Sequence, residues 1–184
     1  MAVNLNEWIL EGKEDKVQKS LEHMDKAAAK EAYFMAVESM SVLNKNAAHL
    51  MKRHGCHGAT DVTGFGIRGH AKNLVEAQKE KVDFRFHSIP VIDRMHLINE
   101  HVFNFKLTEG YSAETSGGLL VMVPPQKVEA FQADLWNEFG QKSWVVGDVV
   151  ASAEDSRQVW FGKDGDWKSI KVINVGESFM KDED

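Results

Sequence analysis

The residues HGCHGATDVTGFGIRG, at positions 54–69, are rich in glycine and separate two segments with a helical pattern. Before them, apolar residues recur at three- and four-residue spacing and predict one helix over about 25–53. Asp25 can cap the start of this helix, and Gly55 can end it. After them, an amphipathic helix is predicted over about 67–79. The glycine-rich stretch therefore joins two helices and is the first place to look for chemistry.

The remainder of the chain adds strands, mostly toward its end. Val82, Phe84 and Phe86 alternate with polar residues, which is typical of a half-buried strand. The other predicted elements are a helix from Pro90 to about His101, a strand at 119–123, a helix at 128–139 ended by Gly140, and strands at 144–150, 158–161 and 167–175, with GKDGD (162–166) as a hairpin turn between the last two. This order predicts an α+β fold, with a mixed β-sheet and helices packed mainly on one face.

Size and composition predict one soluble globular domain. The chain has 184 residues, of which 43% are hydrophobic and 27% charged, and its net charge is -6. This acidic balance disfavours nucleic acid as a partner, and the apolar runs are much shorter than the roughly 20 residues of a membrane-spanning helix. The single cysteine, Cys56, cannot form an intrachain disulfide. We expect one domain over 1–184, no nucleic-acid or membrane partner, a cytoplasmic location, and solvated charged segments at 11–19 and 181–184.

Gly64, Gly66 and Gly69 form a GxGxxG pattern, and Asp83 follows Gly64 at a distance of 19 residues. A dinucleotide-binding fold uses this pattern directly after a buried strand, with an acidic residue about 20 positions later for the ribose. Here the residues before Gly64 follow a predicted long helix instead. We therefore do not expect a dinucleotide site.

The glycine-rich stretch has a second interpretation, as an anion or metal site. Its glycines let backbone NH groups approach a phosphate closely, and Thr63 or Asp61 can cap the helix that follows. Asp61 also offers a hard carboxylate oxygen, the ligand that magnesium prefers when it bridges a protein to nucleotide phosphates. The alternative is that Asp61 only caps the helix and the glycines form a tight turn. Local chemistry leaves both possibilities open.

A second polar cluster directly precedes the apolar strand at 119–123. It consists of Glu114, Thr115, Ser116, Gly117 and Gly118. Two hydroxyl groups and two adjacent glycines can present several donors to an anionic group. A capped turn that enters a strand needs similar residues, so the local pattern does not distinguish the two roles.

The two motifs together, ATDVTGFGIRGH at 59–70 and ETSGGLL at 114–120, resemble the paired signatures of the selenophosphate synthetases, also called selenide, water dikinases. The segments MSVLN at 40–44 and SWVVGDVV at 143–150 are also similar to that family. The resemblance implies the C-terminal domain of the aminoimidazole ribonucleotide synthetase-like superfamily, whose members use ATP. The family reaction converts ATP, selenide and water to selenophosphate, AMP and phosphate.

The resemblance also implies where the functional residues lie. It places a magnesium ligand at Asp61, and it implies that Mg2+ and ATP belong to the full-length enzyme. Near the nucleotide phosphates it places Thr60, Thr63, Gly64, Thr115, Ser116, Gly117 and Gly118. The family's reactive cysteine or selenocysteine, its catalytic lysine and further metal ligands lie in an N-terminal half. No catalytic residue is therefore expected in this chain, and Cys56 does not match the reactive-cysteine motif. The expected partners are that N-terminal half, with ATP and selenide as substrates, in a homodimer of the whole enzyme.

Several alternatives remain at this stage. The chain could be a non-catalytic binding or regulatory module of the same fold, or part of another ATP-using member of the superfamily. Arg68 is expected to face solvent, with contact to a phosphate as the alternative. His70 is expected to have a structural role, with an approach to substrate as the alternative. His54 and His57 flank Cys56, but the chain offers no second compact pair of zinc ligands, so a zinc site is not expected.

Overall fold

The computed structural model describes residues 1–153 and 156–181. Of the charged tail predicted to be solvated at 181–184, positions 182–184 lie outside the described residues. The helices are α1 (Ala2–Leu10), α2 (Glu14–Leu21), α3 (Lys26–Ser41), α4 (Lys45–His54), α5 (Gly66–Glu76), α6 (Met95–His101) and α7 (Val128–Phe139). The strands are β1 (Gly58–Asp61), β2 (Val82–Phe86), β3 (Ser88–Ile92), β4 (Leu119–Met122), β5 (Gly147–Ala151), β6 (Val159–Phe161) and β7 (Lys171–Val175). The α+β fold class is confirmed.

The prediction of a single helix over 25–53 is wrong, because two helices, α3 and α4, occupy that segment. Asp25 does cap the first one, since its carboxylate accepts a hydrogen bond from Ala28 NH at 2.8 Å. Gly55 does end the second one, in a left-handed conformation with φ of 63°. Between α3 and α4, however, Val42 takes an extended backbone conformation, with φ of -69° and ψ of 122°. This residue breaks the helix and changes the direction of the chain.

The described strands form three small sheets, which contain both parallel and antiparallel pairs. β1 pairs with β4 in antiparallel fashion. β2 lies between β5, which is antiparallel to it, and β6, which is parallel to it. β3 pairs with β7 in parallel. The ladder of β1 and β4 joins strands that are far apart in the sequence, and it is the one that positions the two motifs.

The hairpin predicted at residues 162–166 is also wrong. β6 and β7 run parallel to two different strands and do not pair with each other. Gly162 has φ of 73°, and Asp166 caps a short 3-10 turn by accepting a hydrogen bond from Lys168 NH at 3.1 Å. The turn residues therefore serve a crossover from one ladder to the next.

Pro90 does not open a helix, so that prediction is wrong as well. The residue lies within β3, opposite Ile173 of β7. Because β3 pairs on one side only among the described strands, the missing NH of proline does not interrupt a ladder. The helix that follows, α6, begins at Met95 and ends at His101, which is where the predicted helix was expected to end.

The core has a large part and a small part. The large part packs α1, α3, α5 and α6 against the strands, and it includes Leu5 and the stacked rings of Phe86 and Phe161, whose centroids lie 4.6 Å apart. The small part joins α4 to α7 through Leu50 and Leu135. Burial of each such side chain stabilises the fold by about 1.5–3 kcal/mol. None of the described helices is long and apolar enough to cross a membrane.

Candidate functional site

Two loops meet at one end of the β1–β4 ladder. The first loop (residues 61–66) follows β1, and the second loop (residues 110–118) leads into β4. Asp61 lies opposite Leu119 in the ladder, and the NH of Val62 donates a hydrogen bond to the carbonyl of Gly118 at 3.0 Å. The ladder thereby gathers, on or beside the two loops, Thr60, Asp61, Thr63, Gly64, Thr115, Ser116, Gly117 and Gly118.

Backbone contacts hold the two loops against each other. The NH of Glu114 donates a hydrogen bond to the carbonyl of Thr63 at 3.0 Å. A Cβ atom added to Gly117 would lie 2.1 Å from the carbonyl oxygen of Val62. A Cβ atom added to Gly66, which has φ of 66°, would lie 2.5 Å from a carbonyl oxygen of the second loop. These two glycines are required by the close approach of the loop backbones.

Gly64 and Gly118 have different surroundings from Gly66 and Gly117. An added Cβ atom at Gly64 or Gly118 would meet no atom within 4 Å. Both residues are exposed, one on each loop. The space beside them is therefore open to a ligand.

Asn44 fixes the second loop from another side. Its amide Nδ2 donates a hydrogen bond to the carbonyl of Gly117 at 3.0 Å. The break between α3 and α4 places Asn44 at the start of α4, where it can reach this loop. Motif analysis did not assign Asn44 to the site, although the residue lies in the segment MSVLN that carried part of the family resemblance. The resemblance of that segment was the available signal.

Asp61 is the last residue of β1 and is exposed. Its side chain forms no hydrogen bond or ion pair with any residue of the described ranges. The hydroxyl of the neighbouring Thr60 donates to the backbone carbonyl of Asp61 at 3.1 Å and leaves the carboxylate untouched. Both carboxylate oxygens of Asp61 are thus available to an external ligand.

Neither Asp61 nor Thr63 caps the following helix, so this prediction is wrong. α5 is preceded by Phe65, and no side chain accepts a hydrogen bond from its first turn. The hydroxyl of Thr63 instead forms a hydrogen bond with Nε2 of the buried His70 at 3.0 Å. His70 therefore anchors the first loop to α5, as expected for a structural role.

Thr115 and Ser116 of the second polar cluster are exposed. Thr115 and Ser116 form no hydrogen bond with the part of the chain that the structure describes, and Ser116 has φ of 48°. Desolvation raises the pKa of the Glu114 carboxyl, while the amino group of Met1 opposes this shift. Burial in turn lowers the pKa of the Met1 amino group.

Arg68 does not face solvent, so that expectation is wrong. The residue is half-buried, and its guanidinium carbon lies 5.3 Å from the ring centroid of Tyr111 and 5.2 Å from that of Phe161. The backbone NH of Arg68 also donates a hydrogen bond to the carbonyl of Gly110 at 2.9 Å. Arg68 therefore supports the second loop by packing on its aromatic residue.

The residues around Cys56 have structural contacts. Nε2 of the buried His54 lies 2.8 Å from a carboxylate oxygen of Asp134 on α7. Burial raises the pKa of the Cys56 thiol, which opposes formation of the thiolate. Within residues 1–153 and 156–181, no group of three or more His, Cys, Asp or Glu side chains could hold a metal ion.

Asp83 is buried and has hydrogen-bond partners inside the protein. Its Oδ1 accepts from the NH of Gln158 at 2.8 Å and from the hydroxyl of Ser156 at 3.1 Å. The two-stranded ladder before the first loop is antiparallel, whereas the dinucleotide fold has a parallel strand there. Asp83 is a structural residue and is not available to a ribose.

Residues 6–159 match the family of the AIR synthase related protein, C-terminal domain. The chain belongs to this family.

Curated relatives of this C-terminal domain have a consistent name. The chain is 40% identical over 184 residues to the selenide, water dikinase of Trypanosoma brucei brucei, covering 96% of the chain and 44% of that protein. It is 37% identical over 151 residues to the selenide, water dikinase of Dictyostelium discoideum, covering 82% of the chain and 41% of that protein. It is 42% identical over 165 residues to the selenide, water dikinase of Leishmania major, covering 85% of the chain and 41% of that protein. The resemblance to the selenophosphate synthetases is confirmed, and the chain spans less than half the length of these relatives.

Proposed function

We propose that this chain is the C-terminal domain of a selenide, water dikinase, which makes selenophosphate, AMP and phosphate from ATP, selenide and water. Membership of the AIR synthase related family and the names of the curated relatives support this proposal. The partners would be the N-terminal half of the same enzyme, with ATP and selenide as substrates. A homodimer of the whole enzyme and a cytoplasmic location stay predictions.

The observation that carries the proposal is the free carboxylate of Asp61. It lies at the end of β1 with no partner among the described residues, and it adjoins the open space beside Gly64 and Gly118. A buried carboxylate already bonded to nearby amides could not bind a metal without losing those bonds. Asp61 has no such bonds to lose.

Magnesium fits this carboxylate as one ligand among several. The ion prefers six oxygen ligands in octahedral geometry and commonly takes one or two carboxylates together with phosphate oxygens and water. When bound, it would neutralise charge on the phosphates of ATP. Asp61 would hold the ion from this side of the site, and the missing half would supply the remaining protein ligands.

The other residues of the two loops would position the phosphates. The hydroxyls of Thr115 and Ser116 have no partner within the described residues and can donate to phosphate oxygens. Thr63 is held by His70, so the first loop keeps its shape when the ligand binds. Burial raises the pKa of the Cys56 thiol, so Cys56 is a poor candidate for a nucleophile. Chemistry would therefore depend on the missing half.

The central test is Asp61→Asn in the longer protein that contains this chain. The substitution keeps the size of the side chain and removes its charge. We expect turnover of ATP with selenide to fall by about 100-fold or more, as when one electrostatic contact to a transition state is lost. Asp148→Asn, a matched change at an exposed aspartate on β5, should leave turnover unchanged. Near-normal turnover of the Asp61→Asn enzyme would reject the metal role.

A second test uses the 184-residue chain alone. We expect isothermal calorimetry to detect no tight binding of magnesium-ATP, because one carboxylate and two loops do not form a complete nucleotide site. Tight binding with hydrolysis would contradict the proposed division between the two halves.

The reading frame upstream of Met1 distinguishes two hypotheses, a domain of the enzyme and a free-standing binding or regulatory module. Only the enzyme requires an upstream glycine-rich half with a reactive cysteine or selenocysteine and a lysine.

A further inference from the structure

Residues 177–181, near the end of the described chain, contact both α3 and the segment that follows α7. We call these residues the strap. The NH of Lys181 donates a hydrogen bond to the carbonyl of Gly140 at 2.7 Å, and the NH of Lys142 donates to the carbonyl of Phe179 at 2.9 Å. Backbone bonds therefore join the strap to the end of α7.

The contact between the strap and α3 is made by the half-buried side chain of Glu38. Its Oε2 accepts a hydrogen bond from the NH of Phe179 at 3.0 Å, and its Oε1 accepts one from the hydroxyl of Ser178. Hydrogen bonds to a charged carboxylate are stronger than those between neutral groups. Glu38 therefore ties α3 to residues that lie 140 and 141 positions later in the sequence.

The strap closes a ring of contacts around the break between α3 and α4. Beyond the break at Val42, α4 packs on α7 through Leu50 and Leu135. The end of α7 is bonded to the strap, and the strap is bonded to α3 through Glu38. Because packed elements do not deform continuously, the angle between α3 and α4 is fixed while the ring stays closed.

This break lies directly before the residue that holds the second loop. The carbonyl of Glu38 accepts a hydrogen bond from the NH of Val42 at 3.2 Å. Two residues later, Asn44 donates to the carbonyl of Gly117 at 3.0 Å, and Gly117 lies against Val62 of the first loop. A change in the angle between α3 and α4 would therefore move Asn44 away from the second loop.

We infer that Glu38 is a positioning residue for the two-loop site. By holding the strap it fixes the angle between α3 and α4, and through Asn44 it keeps the second loop in place. The inference rests on the proposed function, because Thr115 and Ser116 of that loop are the side chains proposed to bind phosphate oxygens. Glu38 itself does not touch the ligand.

Amide hydrogen exchange of the 184-residue chain, measured by NMR without nucleotide, tests this role. The reporters are the NH groups of Val62 and Glu114, each of which donates from one loop to the other. Glu38→Gln keeps the size of the side chain but leaves one acceptor oxygen in place of two. We expect exchange at both reporters to be about fivefold or more faster, the factor for one lost hydrogen bond. Glu31→Gln, at an exposed position of α3, is the control and should change neither rate.

A double-mutant cycle tests the route through Asn44. Asn44→Ala alone should also accelerate exchange at the two reporters, because it removes the bond to Gly117. If Glu38 acts through Asn44, adding Glu38→Gln to Asn44→Ala should accelerate exchange by no more than about a further twofold. Fully additive effects of the two substitutions would overturn the positioning role.

Steady-state kinetics of the longer protein separates positioning from a purely structural role. A displaced second loop weakens the phosphate contacts, so Glu38→Gln should raise the KM for ATP by about fivefold. A purely structural role would reduce the amount of folded enzyme, and this would lower only the apparent kcat. An unchanged KM would therefore overturn the positioning role.

The outcomes also separate this inference from the proposed function. Unchanged exchange in Glu38→Gln would overturn the positioning role even if Asp61→Asn abolishes turnover, since the exchange experiment contains no metal or nucleotide. Faster exchange together with normal turnover of Asp61→Asn would uphold the control of the loop by Glu38 and reject only the metal role. Ser178→Ala breaks the same contact from the strap and should also accelerate exchange, so it keeps the test valid if Glu38→Gln fails to fold.

Discussion

The two-loop region around Asp61 and the region around Asp83 join distant segments in opposite ways. At Asp83 a buried carboxylate makes the connection, since it accepts hydrogen bonds from Gln158 and Ser156. In the two-loop region the backbone makes it, through glycine contacts and the bond from Glu114 NH to Thr63. The side chain of Asp61 takes no part in the connection.

This difference separates a structural carboxylate from one available to a ligand. Asp83 is occupied inside the protein, and its removal should affect folding. Asp61 is supported by a rigid backbone but has free oxygens, so its removal should affect ligand binding and leave folding almost unchanged. Comparable substitutions in the two regions can confirm or contradict this comparison.

The largest effect on stability is expected from Gly117→Ala. The new Cβ atom would lie 2.1 Å from the carbonyl oxygen of Val62, and the loops would have to separate. We expect the free energy of unfolding to fall by about 3 kcal/mol, as in overpacked cores. Gly118→Ala is the matched control, because its Cβ atom would meet nothing within 4 Å and should change stability by no more than about 0.5 kcal/mol. Equal urea midpoints for both variants would show that the glycine contact does not hold the loops.

Replacement of the two aspartates compares the regions directly. Asp83→Ala leaves the NH of Gln158 and the hydroxyl of Ser156 without their acceptor, and it should reduce the free energy of unfolding by about 2 kcal/mol. Asp61→Ala removes no internal bond and should change that free energy by no more than about 0.5 kcal/mol. Urea unfolding followed by circular dichroism measures both. A loss of similar size at Asp61 would contradict the assignment of its carboxylate to a ligand.

A smaller effect is expected from Thr63→Val. The substitution preserves the shape of the side chain and removes the hydroxyl that bonds to buried His70. We expect the free energy of unfolding, measured by thermal unfolding, to fall by about 1 kcal/mol, which is typical of one hydrogen bond. Thr60→Val is the control, because the hydroxyl of Thr60 contacts only the adjacent carbonyl of Asp61 and lies at an exposed position. If both variants melt at the wild-type temperature, His70 does not anchor the first loop.

The smallest effect is a pH dependence that arises from Asp83. Burial opposes ionisation of this carboxyl, but hydrogen bonds from Gln158, Ser152 and Ser156 and the charge of Arg85 outweigh burial and lower its pKa. A pKa that is lower in the folded state means that folding favours the ionised form. The resulting stabilisation is fully present above the unfolded pKa of about 3.9 and is lost as the pH falls through the folded pKa.

Asp83→Asn isolates this contribution, because every other titrating group is unchanged. We expect the stability difference between wild type and Asp83→Asn to shrink between pH 6 and pH 3 in urea titrations. A difference that stays constant, or one that grows, over this range would show that the Asp83 carboxylate does not stabilise the fold through its charge.

Local patterns in the sequence predicted much of the fold. Alternation identified β2, helical spacing identified α7, and the residue types of Asp25 and Gly55 identified two helix ends. These features depend on short-range chemistry, which a single sequence displays. The candidate site was predicted from the family resemblance, because spacing alone left the roles of Asp61 and of the second polar cluster open.

The failed predictions concern contacts between distant residues. The break at Val42 is accompanied by a bond from Asn44 to Gly117, and nothing in the local helical pattern indicates that bond. The turn at 162–166 has the residues of a hairpin. Its flanking strands, β6 and β7, instead pair in parallel with β2 and β3, so the chain must cross from one sheet to another. Arg68 looked solvated because its aromatic neighbour Phe161 is more than 90 positions away. Long-range packing determined the result in each case.

The register of β1 against β4 determines the direction in which Asp61 points. Successive side chains of a strand face opposite sides, so a slip of one residue would turn the carboxylate inward and expose Val62, which is now buried. Such a slip would place a charge among apolar side chains and leave a hydrophobic residue in water. The burial of Val62 thus helps to fix the orientation of the carboxylate that we propose as a metal ligand.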